Sequence, residues 1–240
     1  AHLDIFGRKP GFGSRLGPAG TGKPWPFVSG MRRGLEDQVF LPRAARKGAA
    51  DLFHAPHPFV PRGFQRASVV TCHDLWLVES IKTKPWGLKK YYDRWNLKNA
   101  LCRADHIITL SRFVAKKLQN QWGIQSSRVT CIPPPLALLK PDPGKTLPAK
   151  QFLLTVGTLE PRKNLKRLLM AQTHAFKRTG VPLFLVGPYG WQAKTILDQL
   201  ARMGRAARWL GPVQAGTLAQ LYQKASAVVQ YSLDEGYDYT

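Results

Sequence analysis

From residue 51 onward the chain alternates short apolar runs with longer segments whose apolar residues recur at helical spacing. Residues 51–54 and 68–72 read as short strands, 86–102 as a helix, 106–110 as a strand, and 129–132 as another. Ser111 predicts the cap of a helix running to Trp122. A second series follows, with strands at 152–156, 182–186, 207–210 and 226–230 and helices at 162–178, 192–203 and 216–225. Such a regular βα succession predicts an α/β protein with parallel sheets covered by helices on both faces. Between the series, residues 133–150 begin Pro-Pro-Pro and contain Pro141, Pro143, Gly144 and Pro148, which predicts a linker. The expected domains are therefore 1–140 and 150–240, with the Gly- and Pro-rich residues 1–34 irregular.

The second domain opens on Phe152–Leu169, FLLTVGTLEPRKNLKRLL. Its apolar run suits a central strand, Gly157 lets the backbone turn beside a ligand, and Pro161 suits the first turn of a helix. Arg162 and Lys163 are then expected near a helix N-terminus, where amide groups and the macrodipole already favour an anion. Two adjacent cations there call for a negative partner, and a phosphate or diphosphate matches the fork of Arg and the point charge of Lys. A merely basic, solvated first turn is the structural alternative.

Ligands of parallel sheets bind at the carboxyl ends of strands, and several polar residues fall there. His54 and His57 follow the first expected strand, His73 and Asp74 the second, and Ser111 and Arg112 the third. Gly157–Lys163 and Asp234–Gly236 hold the equivalent places in the second domain. Each alone has a structural explanation, Ser111 as a helix cap and the histidines as hydrogen-bonded strand ends. Together they are expected to line a cleft between the domains.

Composition narrows the classes. With 36 Lys and Arg against 14 Asp and Glu, the net charge of +22 leans to the first half of the chain and seeks polyanions. Nucleic acid, an anionic leaflet and phosphorylated small molecules all fit that charge. No apolar run is long enough to span a bilayer, and residues 1–10 lack a signal-peptide core. Cys72, Cys102 and Cys131 are scattered in apolar contexts and read as buried thiols in a reducing cytoplasm. Residues 17–23 match the GxxxxGK spacing of a P-loop, but Pro24 replaces the hydroxyl residue and no strand precedes, so that motif is set aside. His54 with His57 and His73 with Asp74 are the nearest approach to metal ligands, and a DxD-like pair is lacking, so no metal is expected.

The ordered segments DLFHAPHPFVP, VVTCHDL, ADHIITLSRFVAKKL, VTCIPPP, FLLTVGTLEPRKNLKRLLMA, VPLFLVGPYGW, LGPV and SLDEGY resemble the retaining GT-B glycosyltransferases of family 4, particularly bacterial mannosyltransferase-like members. The resemblance covers the chain from about Gly34. It implies two Rossmann-like doubly wound domains, with acceptor mainly on the first and nucleotide sugar on the second, and with both domains incomplete in this chain. It implies that Arg162 and Lys163 hold the donor diphosphate with the backbone at Gly157 and Thr158. Glu235 is then the first acid of an E-x7-E motif near the donor sugar, and His73 faces the reaction centre. His54, Asp74, Ser111 and Arg112 fall to the acceptor cleft. The family's pattern departs after Tyr237, where Asp238-Tyr239-Thr240 stands, and the expectation is a fragment of a longer enzyme with little turnover of its own. The implied reaction moves a hexose, mannose first, from GDP-mannose or a UDP-sugar to a saccharide or lipid-diphosphate-linked acceptor in polysaccharide biosynthesis. It needs no cofactor or metal, and the expected location is the cytoplasm, at the inner face of the membrane. Lys82, Lys84, Lys89, Lys90, Arg94, Lys98 and Arg103 among Trp86, Tyr91, Tyr92 and Trp95 form a surface suited to anionic headgroups, against the alternative of an ordinary solvated helix face. Two other readings are a basic nucleic-acid-binding protein, for which no recognisable module is present, and a non-catalytic sugar-phosphate-binding relic.

Overall fold

The computed structural model describes residues 51–56, 58, 60, 66–79, 87–136, 139–141 and 151–239. These fall into two compact units that divide at Pro133 and Pro134. In the first unit, strands β1 (Leu52–Ala55), β2 (Ala67–Cys72), β3 (His106–Thr109) and β4 (Val129–Cys131) pair in parallel in the order β1-β2-β3-β4. Helices α1 (Trp76–Glu79), α2 (Gly87–Arg103) and α3 (Arg112–Trp122) form the connections. The core joins Val70 and Cys72 of β2, Ile107 of β3, Leu101 of α2, and Val114 and Leu118 of α3. Val114 and Leu118 stand four apart, which puts them on one helix face, as the amphipathic pattern predicts.

The second unit holds β5 (Leu153–Val156), β6 (Leu183–Val186), β7 (Ala207–Trp209) and β8 (Ala227–Val228), with α4 (Leu165–Thr179), α5 (Ala193–Ala201) and α6 (Ala215–Lys224). Its strands are parallel in the order β7-β6-β5-β8. The near-continuous apolar runs of β5 and β6 arise because both faces of this sheet are buried. Period-2 alternation divides them: Leu183 and Leu185 join Leu165, Leu168, Leu169 and Ile196 in one cluster. Phe152, Leu154 and Val186 join Leu221 of α6 in the other. Thus α4 and α5 cover one face and α6 the opposite one.

Several expectations need correction. His54 lies inside β1 rather than after it. The helix expected over 162–178 is two elements, a 3-10 turn at Pro161–Lys163 and α4 from Leu165, separated by Asn164 at φ +54°. The strand expected over 226–230 pairs only at Ala227 and Val228. Cys72 is buried as expected, but Cys102 is exposed and Cys131 only half-buried, because a helix face and a short edge strand leave them uncovered. α1 is too short for a period to reveal.

Candidate functional site: a switch-point crevice in the second unit

The strand order of the second unit reverses at β5, with β6 and β7 on one side and β8 on the other. At such a reversal the connections leave toward opposite faces and open a crevice at the carboxyl ends of the two strands. Gly157–Lys163 follow β5 and residues 229–239 follow β8, so both segments reach that crevice.

Side chains from the two segments converge. Arg162 Nε donates to Glu160 Oε1 at 2.9 Å, and Nη2 lies 2.9 Å from the same oxygen. Arg162 Nη1 pairs with Glu235 Oε2 and donates to the Asp234 carbonyl at 3.3 Å. Lys163 Nζ donates to the other carboxylate oxygen, Glu235 Oε1, at 2.6 Å. The four side chains are 11–19% exposed, so solvent screens them only in part. Burial pulls the Arg162 guanidinium pKa down, but the Glu235 and Glu160 carboxylates outweigh it and hold the group above its ordinary value. Arg162 is therefore a permanent cation. The negative partner that two adjacent cations call for is supplied by Glu160 and Glu235.

The backbone explains why this convergence is possible. A Cβ on Gly157, at φ +151°, would stand 2.9 Å from Lys163 Cε and 3.4 Å from Nζ, so the lysine stem crosses directly over the glycine. The turn is also bonded to its neighbour, with Gly157 N donating to the Val186 carbonyl at 2.8 Å and Leu159 N to that of Pro188 at 3.0 Å. Gly187 permits this approach, since a Cβ there would meet the Gly157 carbonyl oxygen at 2.1 Å. Thr158 lies on the same turn with its methyl against Gly190. On the other side, Leu233 N donates to the Arg162 carbonyl at 2.8 Å, and Gln230 Nε2 bonds Asp238 Oδ1 at 3.0 Å. Gly157, Thr158, Arg162, Lys163 and Glu235 are thus brought together as a set.

On the first unit, His73, Asp74, Ser111 and Arg112 follow the adjacent ends of β2 and β3, where Cys72 pairs with Thr109. His73 Nε2 lies 2.8 Å from the Pro56 carbonyl, which can only accept, so Nε2 carries a proton and donates. Asp74 Oδ1 accepts from Trp76 N at 3.2 Å at the start of α1, and Ser111 Oγ accepts from Val114 N at 3.2 Å. Both side chains therefore have structural uses. Arg112 is exposed at the first position of α3. His54 Nε2 bonds Thr71 Oγ1 at 2.9 Å across to β2. His57 lies outside the described residues. Among the described residues no three His, Cys, Asp or Glu side chains converge as metal ligands.

Sequence reasoning passed over Glu160, although an acid two residues before an arginine in a tight turn is a visible signal. It also passed over a cavity of about 360 Å³ lined by Pro212, Val213, Gln214 and Thr217 at the start of α6. Thr217 Oγ1 is buried there without a hydrogen-bond partner. Nothing in the sequence pattern marks that cavity, because it depends on how the loop after β7 meets the helix.

Two units, each a parallel sheet covered by helices, have the GT-B fold. The chain belongs to Glycosyltransferase Family 4, whose model matches residues 3–138. It is 29% identical over 201 residues to the O-antigen chain mannosyltransferase B of Escherichia coli, covering 78% of this chain and 52% of that protein. It is 30% identical over 93 residues to the serotype-specific mannosyltransferase WbdA of Escherichia coli, covering 37% of this chain and 11% of that protein. The chain thus spans about half the length of the first of these relatives and about a tenth of the second. Its fold is similar to that of sucrose-phosphate synthase from Thermosynechococcus elongatus, with TM-score 0.67 and 19% identity over 93% of this chain and 60% of that one. It is also similar to Anabaena HepE in complex with UDP and glucose, with TM-score 0.60 and 19% identity over 84% of this chain and 59% of that one.

Proposed function

We propose that the second unit binds the diphosphate of a nucleotide sugar through Arg162 and Lys163, as part of a retaining hexosyltransferase acting in polysaccharide assembly. The observation that carries this reading is the convergence of both cations on a single carboxylate at the switch point. A carboxylate that accepts from Arg162 Nη1 through one oxygen and from Lys163 Nζ through the other supports the reading that the same two donors can grip the oxygens of a diphosphate. In transfer, the bond from the anomeric carbon to the diphosphate breaks and negative charge builds on the leaving oxygens. Arg162 and Lys163 stabilise that charge, with Glu160 keeping the guanidinium oriented. A front-face path, with the leaving oxygen taking the proton of the incoming hydroxyl, accounts for retention without a covalent nucleophile.

Mannose from GDP-mannose is the favoured donor, on the likeness to two mannosyltransferases, with UDP-sugars the alternative on the likeness to a UDP-bound neighbour. A saccharide or lipid-diphosphate-linked acceptor falls to the first unit. There His73 is the group assigned to the sugar at the reaction centre, and Asp74, Ser111 and Arg112 line the same strand ends. Titrating GDP and UDP onto the chain tests the reading. Arg162→Ala and Lys163→Ala should each weaken binding of the preferred nucleotide by about 10- to 100-fold, on the scale of a lost charge-assisted hydrogen bond. Unchanged affinity in both variants would remove the proposal.

A further inference from the structure

Both oxygens of Glu235 are committed to the cations that the proposed function assigns to diphosphate, one to Arg162 and one to Lys163. The carboxylate occupies the place between the two cations that a bridging anion would take, so the two compete for it. Resting on the diphosphate reading, we infer that Glu235 is an internal occupant of the anion site, a built-in competitor that must leave before a diphosphate is gripped.

The surrounding contacts restrict what moves. Arg162 directs Nε and Nη2 at Glu160, so its guanidinium stays oriented when Nη1 is released. The backbone bond from Leu233 N to the Arg162 carbonyl ties the segment just before Glu235, and the Gln230–Asp238 bond closes it just after. The exchange is therefore a rotation of the Glu235 side chain with a local shift at 234–238, not a departure of the whole segment. Glu160 and Glu235 hold the same arginine but have different parts: Glu160 orients, and Glu235 exchanges. The device has two uses. It keeps two adjacent, partly buried cations neutralised, and it frees a carboxylate only when a diphosphate has arrived.

Competition of this kind lowers apparent affinity by the fraction of molecules that are open. If the closed pair holds about nine-tenths of molecules, Glu235→Gln should bind inorganic pyrophosphate about tenfold more tightly than the unaltered chain. Calorimetric titration of pyrophosphate onto the unaltered chain, Glu235→Gln, Arg162→Ala and Lys163→Ala separates the outcomes. Tighter binding by Glu235→Gln, lost when Arg162 is also removed, supports the exchange. Equal or weaker binding by Glu235→Gln, with loss in Arg162→Ala and Lys163→Ala, overturns the exchange and leaves the diphosphate reading standing. Binding that ignores all three substitutions, or no binding in any chain, overturns both. Should Glu235→Gln fail to fold, nuclear magnetic resonance of the unaltered chain serves. Pyrophosphate should shift the Glu235 carboxyl carbon while the Arg162 Nε–H bonded to Glu160 persists, and an unmoved Glu235 signal at saturation overturns the inference.

Discussion

Gly157 and Gly187 are both required by close approaches, but their neighbours differ and so do the expected consequences. A Cβ at Gly187 collides with the Gly157 carbonyl, which is backbone and cannot give way. Gly187→Ala should cost roughly 1–3 kcal/mol or more in chemical unfolding. Both glycines sit at positive φ, +151° and +145°, so alanine strains either backbone, but at Gly157 the colliding atoms belong to the flexible Lys163 stem, so Gly157→Ala should displace Nζ, weaken pyrophosphate binding and cost less stability than Gly187→Ala. Equal losses of stability in the two variants would contradict that division. The cysteines give a second residue-scale contrast. Burial first, and then the charges of Asp74 and Glu79, push the Cys72 thiol up to about 12, whereas Cys102 is exposed. Because the thiolate is the reacting species, an alkylating reagent at pH 8 should label Cys102 in the native protein and Cys72 only after denaturation. Native labelling of Cys72 at a comparable rate would show the buried environment to be wrong. The cysteines also show where the sequence misled: all three stand among apolar neighbours, but only tertiary packing decides which side of an element is covered.

Among the elements, β2 and β3 are fastened at their starts by Ser68 and Asp105. Ser68 N and Oγ donate to Asp105 Oδ2 at 2.7 and 3.0 Å, and Asp105 N donates back to the Ser68 carbonyl at 3.0 Å. The Ser68 backbone bond, followed by its hydroxyl, holds the Asp105 carboxyl below its ordinary value. A carboxyl depressed on folding contributes stability above its unfolded pKa of about 3.9, and that contribution is lost as pH falls through the folded value. Melting temperatures from pH 6 to pH 2.5 should therefore fall less steeply in Asp105→Asn than in the unaltered chain, and parallel slopes would refute the staple. The strands themselves were legible, since runs such as 152–156 and 182–186 are apolar almost throughout and bounded by turn residues. The helix after β5 was legible in its body but not at its start. Leu165, Leu168 and Leu169 mark the buried face, whereas the break at Asn164 is set by a positive φ that no periodicity reports. The strand expected to reach residue 230 ends its register with β5 at Val228, although Val229 N still donates to the Leu154 carbonyl at 2.7 Å.

For the whole molecule, the charge of +22 is the largest sequence-level property and the one least tied to any contact. We propose that it draws the protein to anionic lipid surfaces, where a lipid-linked acceptor would be met. No described helix is long and apolar enough to cross a membrane. The basic and aromatic stretch from Lys82 to Trp86 lies outside the described residues, so the test is direct. Vesicles containing phosphatidylglycerol should retain the chain at low ionic strength and release it as salt rises past roughly physiological levels, while neutral vesicles should not retain it. Retention by neither kind would end the membrane proposal. By itself the sequence determined the α/β class, the parallel βα succession and the glycine turn with two adjacent cations at Gly157–Lys163, because apolar periodicity, glycine and adjacent charges are local and each has a local physical cause. Tertiary structure alone decided that β8 pairs on the far side of β5, which makes the crevice, and that Glu235, more than seventy positions from Arg162, closes on both cations. Strand order and long-range charge pairing are settled by which buried faces must meet, and that is a property of the packed whole rather than of any segment.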